Sequence, residues 1–266
     1  MLKTLVAGLA LASSWTWIIG MYLPRIMMER HGWAGFLVFA VPNVIGCTAF
    51  GFVLRKPGAA TALRTQIEGE AKWFSSATIA FHVLFAVFLV KSLLGEDGLS
   101  VPQSEAPVAA GAFLGAAFLL SLLPKSVFPW LGALVWVGSI TLFGLRADTP
   151  ITSAAPCDLN ALWSLPLFTA GLLICPYLDL TFHEVRRSAH HAAFGIFGVA
   201  FALMLLLTVV IWMGDGPRLG PWVLGHLVGQ ALFTTSWHLG ALRREEDSIR
   251  GLSLIHISEP TRLERI

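Results

Sequence analysis

Long apolar runs separated by short polar punctuation dominate this chain, and their spacing predicts a bundle of membrane-crossing helices. A helical span needs roughly 20 mostly apolar residues. About eight segments meet or approach that length: 4–28, 34–54, 74–94, 107–123, 127–145, 161–182, 193–213 and 221–241. No stretch outside them is long enough for a soluble domain, so residues 1–251 are predicted to form a single all-α polytopic transmembrane domain. Between the second and third spans, residues 59–73 place Leu63, Ile67 and Ala71 at i, i+4 and i+8. That stripe predicts a helix lying on the membrane surface, either a plain connector or a gating element.

Two of the spans carry a matching interruption. The first reads Trp15-Thr-Trp-Ile-Ile-Gly-Met-Tyr-Leu-Pro24, and the sixth reads Ala170-Gly-Leu-Leu-Ile-Cys-Pro-Tyr-Leu-Asp179. Tyr22 and Tyr177 are the only tyrosines in the protein, and each precedes a leucine. Pro24 cannot donate to the carbonyl of Gly20, nor Pro176 to that of Leu172. Inside a bilayer, freed carbonyls persist only where protein or a water-filled cavity satisfies them. Breaks are therefore expected near Gly20 and near Cys175–Pro176, and paired breaks in two halves of a chain point to a transporter binding site.

Composition fits a membrane protein. The chain is 56% hydrophobic and 13% charged, with a mean hydropathy of +0.72, whereas soluble domains carry about 25% charged residues. A net charge of +2 singles out no partner, and no basic run points to nucleic acid. Cys47, Cys157 and Cys175 form neither a metal-ligand spacing nor a disulfide framework. With the N-terminus placed in the cytoplasm, Lys3, Arg55, Lys56, Arg64, Lys72, Lys125, Arg186, Arg187, Arg243, Arg244 and Arg250 fall inside. Only Arg25, Arg30, Lys91, Arg146 and Arg218 fall outside, as the positive-inside rule asks. The expected setting is a bacterial cytoplasmic membrane, with the lipid bilayer as a partner. In this topology the first span runs outward and the sixth inward, so the two halves are inverted.

Both ends carry sequence signals of their own. Lys3, the run Leu5–Leu11 and Ala10-Leu-Ala12 imitate a cleavable signal, but the apolar run continues to Met28, so an uncleaved first helix is expected. Residues Leu252–Arg262 resemble the in-frame translation of a sequencing-library adapter, and 263–266 would continue into its flank. The expectation is a non-native tail over 252–266 and a natural protein that continues past Gly251.

With this topology, the chain resembles the LeuT-type secondary transporters of the APC superfamily, which include the sodium:solute symporters. The resemblance rests on Trp15–Pro24, on Cys175-Pro-Tyr-Leu-Asp179, on Gly32-Trp-Ala-Gly-Phe with Val41-Pro-Asn-Val-Ile-Gly46, and on Ala231-Leu-Phe-Thr234-Thr235. It implies ten core helices in two inverted sets of five, with helices one and six broken. This chain would hold the first repeat, about 4–146, and three helices of the second, about 159–241. It also implies a sodium site formed by the Ala231 carbonyl, the Thr234 and Thr235 hydroxyls and carbonyls freed near Ser13–Thr16. The first helix departs from the pattern in lacking an Asn or Asp near its break.

Several residues then stand out as candidates. Ser14, Trp15, Thr16, Trp17, Gly20, His82, Cys175, Tyr177 and Asp179 are the expected substrate-binding set. Asp179 is the only carboxylate within an apolar span, which makes it a functional candidate as cation ligand, proton carrier or amine counter-ion. The plainer reading pairs it with Arg186 or Arg187. His82 suits proton coupling, or is a satisfied buried histidine. Trp15 and Trp17 belong either to an interfacial belt or to a cavity lining. His183-Glu184 and His190-His191 read as a solvated loop. Gly111/Gly115 and Gly225/Gly229 read as close helix packing.

The leading expectation is cation-coupled, sodium-driven secondary transport of a small solute, with no catalytic residue and no cofactor beyond a sodium ion. A membrane-embedded haem or redox protein using His82, His183, His226 or His238 is the alternative. A non-transporting membrane sensor or subunit is the third reading.

Overall fold

The computed structural model describes residues 1–16, 18–94, 106–145, 155–214 and 221–258. Ten α-helices make up nearly all of it: α1 (Leu2–Trp15), α2 (Ile18–Val53), α3 (Ala59–Gln66), α4 (Glu68–Leu94), α5 (Ala106–Ser121), α6 (Phe128–Gly144), α7 (Leu165–Leu178), α8 (Leu180–Ser188), α9 (Ala192–Gly214) and α10 (Pro221–Ser258). Short 3₁₀ helices lead into α6 (Lys125–Val127) and α7 (Leu159–Ser164). Among the described residues, Tyr22–Val53, Glu68–Phe88, Lys125–Leu142, Leu159–Leu178 and Ala192–Val210 are long and apolar enough to cross a membrane. Leu2–Trp15 and Pro107–Ser121 are shorter apolar helices. The chain is an all-α membrane protein.

Two expected spans differ in detail. The segment 4–28 is divided between α1 and the start of α2, and α2 turns sharply at Gly32 (φ 60°, ψ −150°). That turn interrupts the helical ladder, and the segment before the 3₁₀ turn at Leu159 repairs it. Ala155 N–H donates to Met28 O (3.4 Å), and Asp158 N–H donates to His31 O (3.1 Å). The Asp158 carboxylate also meets His31 Nδ1 at 2.8 Å. A β-carbon at Gly32 would lie 3.0 Å from Pro156 O, so both the positive φ and the close approach call for glycine. The Asp158 carboxyl is held below its ordinary range, chiefly by the Asn160 amide and then by His31.

Lipid tails are as apolar as leucine, so apolar burial does not draw membrane helices together; close packing does. In this bundle α1 is central, packing against α6, α9, α8 and α10, while α2 packs on α7 and α9, and α10 on α4, α5 and α6. Close approaches between helices fall at Gly8, Gly46, Gly51, Gly132 and Gly198 among others. A β-carbon at Gly8 would lie 2.6 Å from Ala193 O, and one at Gly132 would lie 2.7 Å from Ala10 Cα. The predicted Gly-x-x-x-Gly contacts are not where the helices close up. A β-carbon at Gly111, Gly115 or Gly229 would meet open space, and at Gly225 only Leu142 at 3.5 Å. A ring cluster of Phe50, Phe182, Phe194, Phe197 and Phe201 fills the space between α2, α8 and α9.

The tail begins inside a continuous helix. The α10 backbone stays helical to Ser258, while 259–266 lie outside the described residues.

Candidate functional site

Both apolar interruptions do break the backbone, but not at the prolines' expected partners. Helix α1 ends at Trp15, and Thr16 leaves the helical region (φ −75°, ψ 53°). Thr16 closes the last turn twice on Ala12 O, through its amide (3.1 Å) and its hydroxyl (2.6 Å). Gly20 lies inside the first turns of α2 instead of at the break. Trp17 falls outside the described residues. In the second half, Pro176 is tolerated within α7, and the backbone becomes extended at Asp179 (φ −85°, ψ 118°). The reason is local: Asp179 Oδ1 accepts from Thr181 N–H (2.7 Å), Thr181 Oγ1–H (2.7 Å) and Phe182 N–H (3.4 Å), and so caps α8. An aspartate that satisfies the orphan amides of a new helix fixes where the old one ends.

The two breaks meet in the core. Ser14 Oγ and Thr181 Oγ1 lie 3.5 Å apart, and the rings of Trp15 and Phe182 meet edge-on at 4.8 Å. Trp15 is buried and donates from Nε1 to Asn43 Oδ1 at 2.8 Å, so it is a core tryptophan and not an interfacial one. Ser13 Oγ donates to Gly132 O at 2.9 Å. Helix α10 supplies the third side: Thr234 Oγ1 donates to Ser14 O (3.0 Å) and lies 3.4 Å from Ser13 O. Thr235 Oγ1 turns to its own helix and donates to Ala231 O at 2.8 Å. Neutral oxygens from α1 and α10 therefore converge beside the first break, with no carboxylate among these contacts.

Asp179 does not pair with Arg186 or Arg187. Its Oδ2 faces His238 Nε2 at 3.6 Å, and both residues are buried. His238 Nδ1 in turn meets Ser75 Oγ at 3.0 Å. His82 is also buried on α4, with Nδ1 donating to Thr78 O at 2.7 Å, and lies within electrostatic reach of His238. Arg186 instead donates to the backbone carbonyls of Leu54 and Arg55.

Cys175 is half-buried against the main core, and Tyr177 packs on Phe50 with ring centroids 5.2 Å apart. His183 and Glu184 are not a solvated loop. Both are buried in α8, with His183 Nε2 donating to Tyr177 O (2.8 Å). Glu184 holds Arg244 in a two-point contact (3.0 and 3.0 Å), accepts from Trp237 Nε1 (2.9 Å) and faces Lys125 Nζ at 3.6 Å. His190 and His191 do lie in the turn after α8, against each other at 3.9 Å. A vestibule of about 590 Å³ lies between α1, α6, α8 and α10, lined among others by Lys3, Lys125, Glu184 and Trp237.

Sequence reasoning missed Asn43, Thr181 and the Glu184–Arg244 pair. The spacing Asp179-x-Thr181 at the start of a short amphipathic run was a legible capping signal. Asn43, an amide between apolar neighbours, was a second. His226 and His238 were weighed only as haem ligands; His226 instead sits in a buried polar cluster with Ser139 (3.0 Å) and Thr208 (3.1 Å). Among the described residues, no group of His, Cys, Asp and Glu side chains converges as a metal-ion site. Comparison with family models, curated proteins and solved structures finds no match.

Proposed function

We propose that this protein is a cation-coupled secondary transporter of a small solute, with its binding region at the two facing helix breaks. The observation that carries the reading is the convergence of Ser14, Trp15, Thr181 and Thr234 at one buried point. Broken helices that meet inside a membrane bundle leave backbone carbonyls and amides facing a common space, which suits an ion and a solute together. The sodium ion is taken as a transported substrate, not a resident cofactor. Its oxygens would come from Ser13 and Ser14 carbonyls, the Ala231 carbonyl and the Thr234 and Thr235 hydroxyls. Hydroxyls that now donate to those carbonyls would rotate to present lone pairs.

The buried Asp179–His238 pair favours a second form of the same reading, in which a proton is the coupling ion. The two forms separate in one experiment. Purified protein is titrated with sodium chloride against choline chloride, following thermal unfolding and tryptophan emission, and proteoliposomes are then screened for solute uptake under a sodium or a proton gradient. Sodium-specific stabilisation that disappears in Thr234→Ala supports sodium coupling. Uptake driven only by a proton gradient, with no sodium effect on stability, supports the second form. No gradient-driven uptake of any solute in a broad panel overturns the transporter reading.

A further inference from the structure

The α2–α3 turn and the end of α8 enclose a pocket of about 370 Å³, lined by Leu54, Lys56, Gly58, Thr61, Arg186 and Arg187 among others. Its charge is one-sided. Arg186 is pinned by backbone carbonyls alone, donating to Leu54 O (2.9 Å), Arg55 O (2.6 Å) and Ala189 O (3.4 Å). Among the described residues, no carboxylate pairs with Arg55, Lys56 or Arg186. Arg187 reaches Glu245 at 3.6 Å, but Glu245 is already engaged by the buried Arg64 at 3.0 Å. His190 and His191 adjoin the same side. The His191 pKa is lowered, first by burial and then by the positive fields of His190, Arg186 and Arg55. The concavity thus gathers guanidinium and ammonium groups around a single carboxylate among the described residues, Glu245, which Arg187 shares with Arg64.

Two further features fit the cluster. Gly58 takes a left-handed conformation (φ 79°) that starts α3 with no side-chain cap, so the first-turn dipole adds to the positive potential. Immediately before the turn, Phe52 and Val53 are exposed apolar residues at the end of a membrane-spanning helix. The pocket therefore sits where hydrocarbon gives way to headgroups, which is the depth of a lipid phosphate.

We propose that this pocket binds a phosphate group, supplied by the headgroup of an anionic membrane lipid, and that the bound phosphate ties the α2–α3 turn to α8. Guanidinium and ammonium groups around one concavity match the oxygens of a phosphate. The link reaches the site because α8 begins at the Asp179 break, and because His183 of α8 also meets Ala60 O at 3.2 Å beside the pocket. The proposal does not depend on what the protein transports.

The test uses the full chain in a neutral detergent. Phosphatidylglycerol, phosphatidylcholine or inorganic phosphate is added at matched ionic strength. Thermal midpoint and hydrogen exchange of the amides over 54–61 are followed. Phosphatidylglycerol should raise the midpoint and protect those amides saturably, whereas phosphatidylcholine should do neither. Lys56→Gln, at an exposed residue whose side chain has no partner among the described residues, should weaken the apparent affinity about tenfold, the loss of one charge-assisted contact. Arg187→Gln should act in the same direction, and the remote Lys3→Gln should not. If inorganic phosphate protects as well as phosphatidylglycerol, the pocket takes a free anion and the lipid assignment falls. Equal responses in wild type, Lys56→Gln and Arg187→Gln, or no response to either anion, overturn the site.

Discussion

Ser14 and Thr181 face each other at 3.5 Å, hydroxyl to hydroxyl, from helices that belong to opposite halves of the chain. One sits in the last turn of α1 and the other in the first turn of α8. Their contact fixes the two breaks against each other. In a variant with Cys47, Cys157 and Cys175 replaced by serine or alanine, cysteines at 14 and 181 should be joined by a short bifunctional thiol reagent. A cysteine pair at 14 and 111 should not be joined. Equal yields for both pairs would place the breaks apart.

Asp179 has two roles that substitution can separate. Asn at 179 can still cap α8, whereas Ala cannot, so Asp179→Ala should lose about 1 kcal/mol more stability than Asp179→Asn. Both remove the negative charge facing His238. If the charge serves the coupling ion, gradient-driven uptake should fall alike in the two variants despite their different thermal midpoints. Uptake that follows stability instead would reduce Asp179 to a cap.

Gly132 tests the packing of α1 on α6. A β-carbon there would lie 2.5 Å from Phe233 Cζ and 2.7 Å from Ala10 Cα. Overpacking of this kind costs about 1–3 kcal/mol. Gly132→Ala should lower the thermal midpoint clearly, while Gly111→Ala and Gly115→Ala, which meet open space, should be neutral or slightly stabilising through helix propensity. Unfolding midpoints of the three purified variants decide the matter.

Glu184 sits between Arg244, Lys125 and Trp237, so Glu184→Gln leaves two cations without their counter-charge. The loss should be roughly 2 kcal/mol, less than for a fully enclosed pair because Arg244 keeps some solvent. Adding Arg244→Met should recover part of it. A double-mutant cycle with no coupling energy between the two positions would remove this pair from the account of how α8 is held to α10.

The Asp158 carboxylate, held by the Asn160 amide and then by His31, carries an acid-side pH dependence. Because the folded-state pKa of Asp158 is lowered, its contribution is present at neutral pH and is lost as pH falls through that lowered value. Amides of the 155–164 segment should therefore exchange faster on acidification, after correction for the intrinsic rate. Asp158→Asn should flatten that dependence. A wild-type profile equal to that of the variant would detach the segment from the carboxylate.

The pattern of apolar runs was enough to establish the all-α membrane architecture, because in lipid each helix satisfies its own backbone hydrogen bonds and forms largely without reference to its neighbours. It also located the neighbourhoods of the two breaks, though each lies a few residues from the predicted position, where Thr16 closes one helix and Asp179 opens another. Partner choice was not legible. Asp179 could be paired on paper with Arg186 or Arg187, seven and eight positions on, yet the rotation of α10 sets it against His238. Glu184 looked exposed by its neighbours Arg186 and Arg187, and packing of α8 on α10 buried it against Arg244 and Trp237. Glycine spacing at 111/115 and 225/229 suggested tight seams, but the close approaches formed elsewhere, at Gly8, Gly46, Gly132 and Gly198 among others. Each of these outcomes depends on how far one helix is turned and slid against another. Interlocking of side chains across the whole bundle sets that register, and no local stretch of sequence contains it.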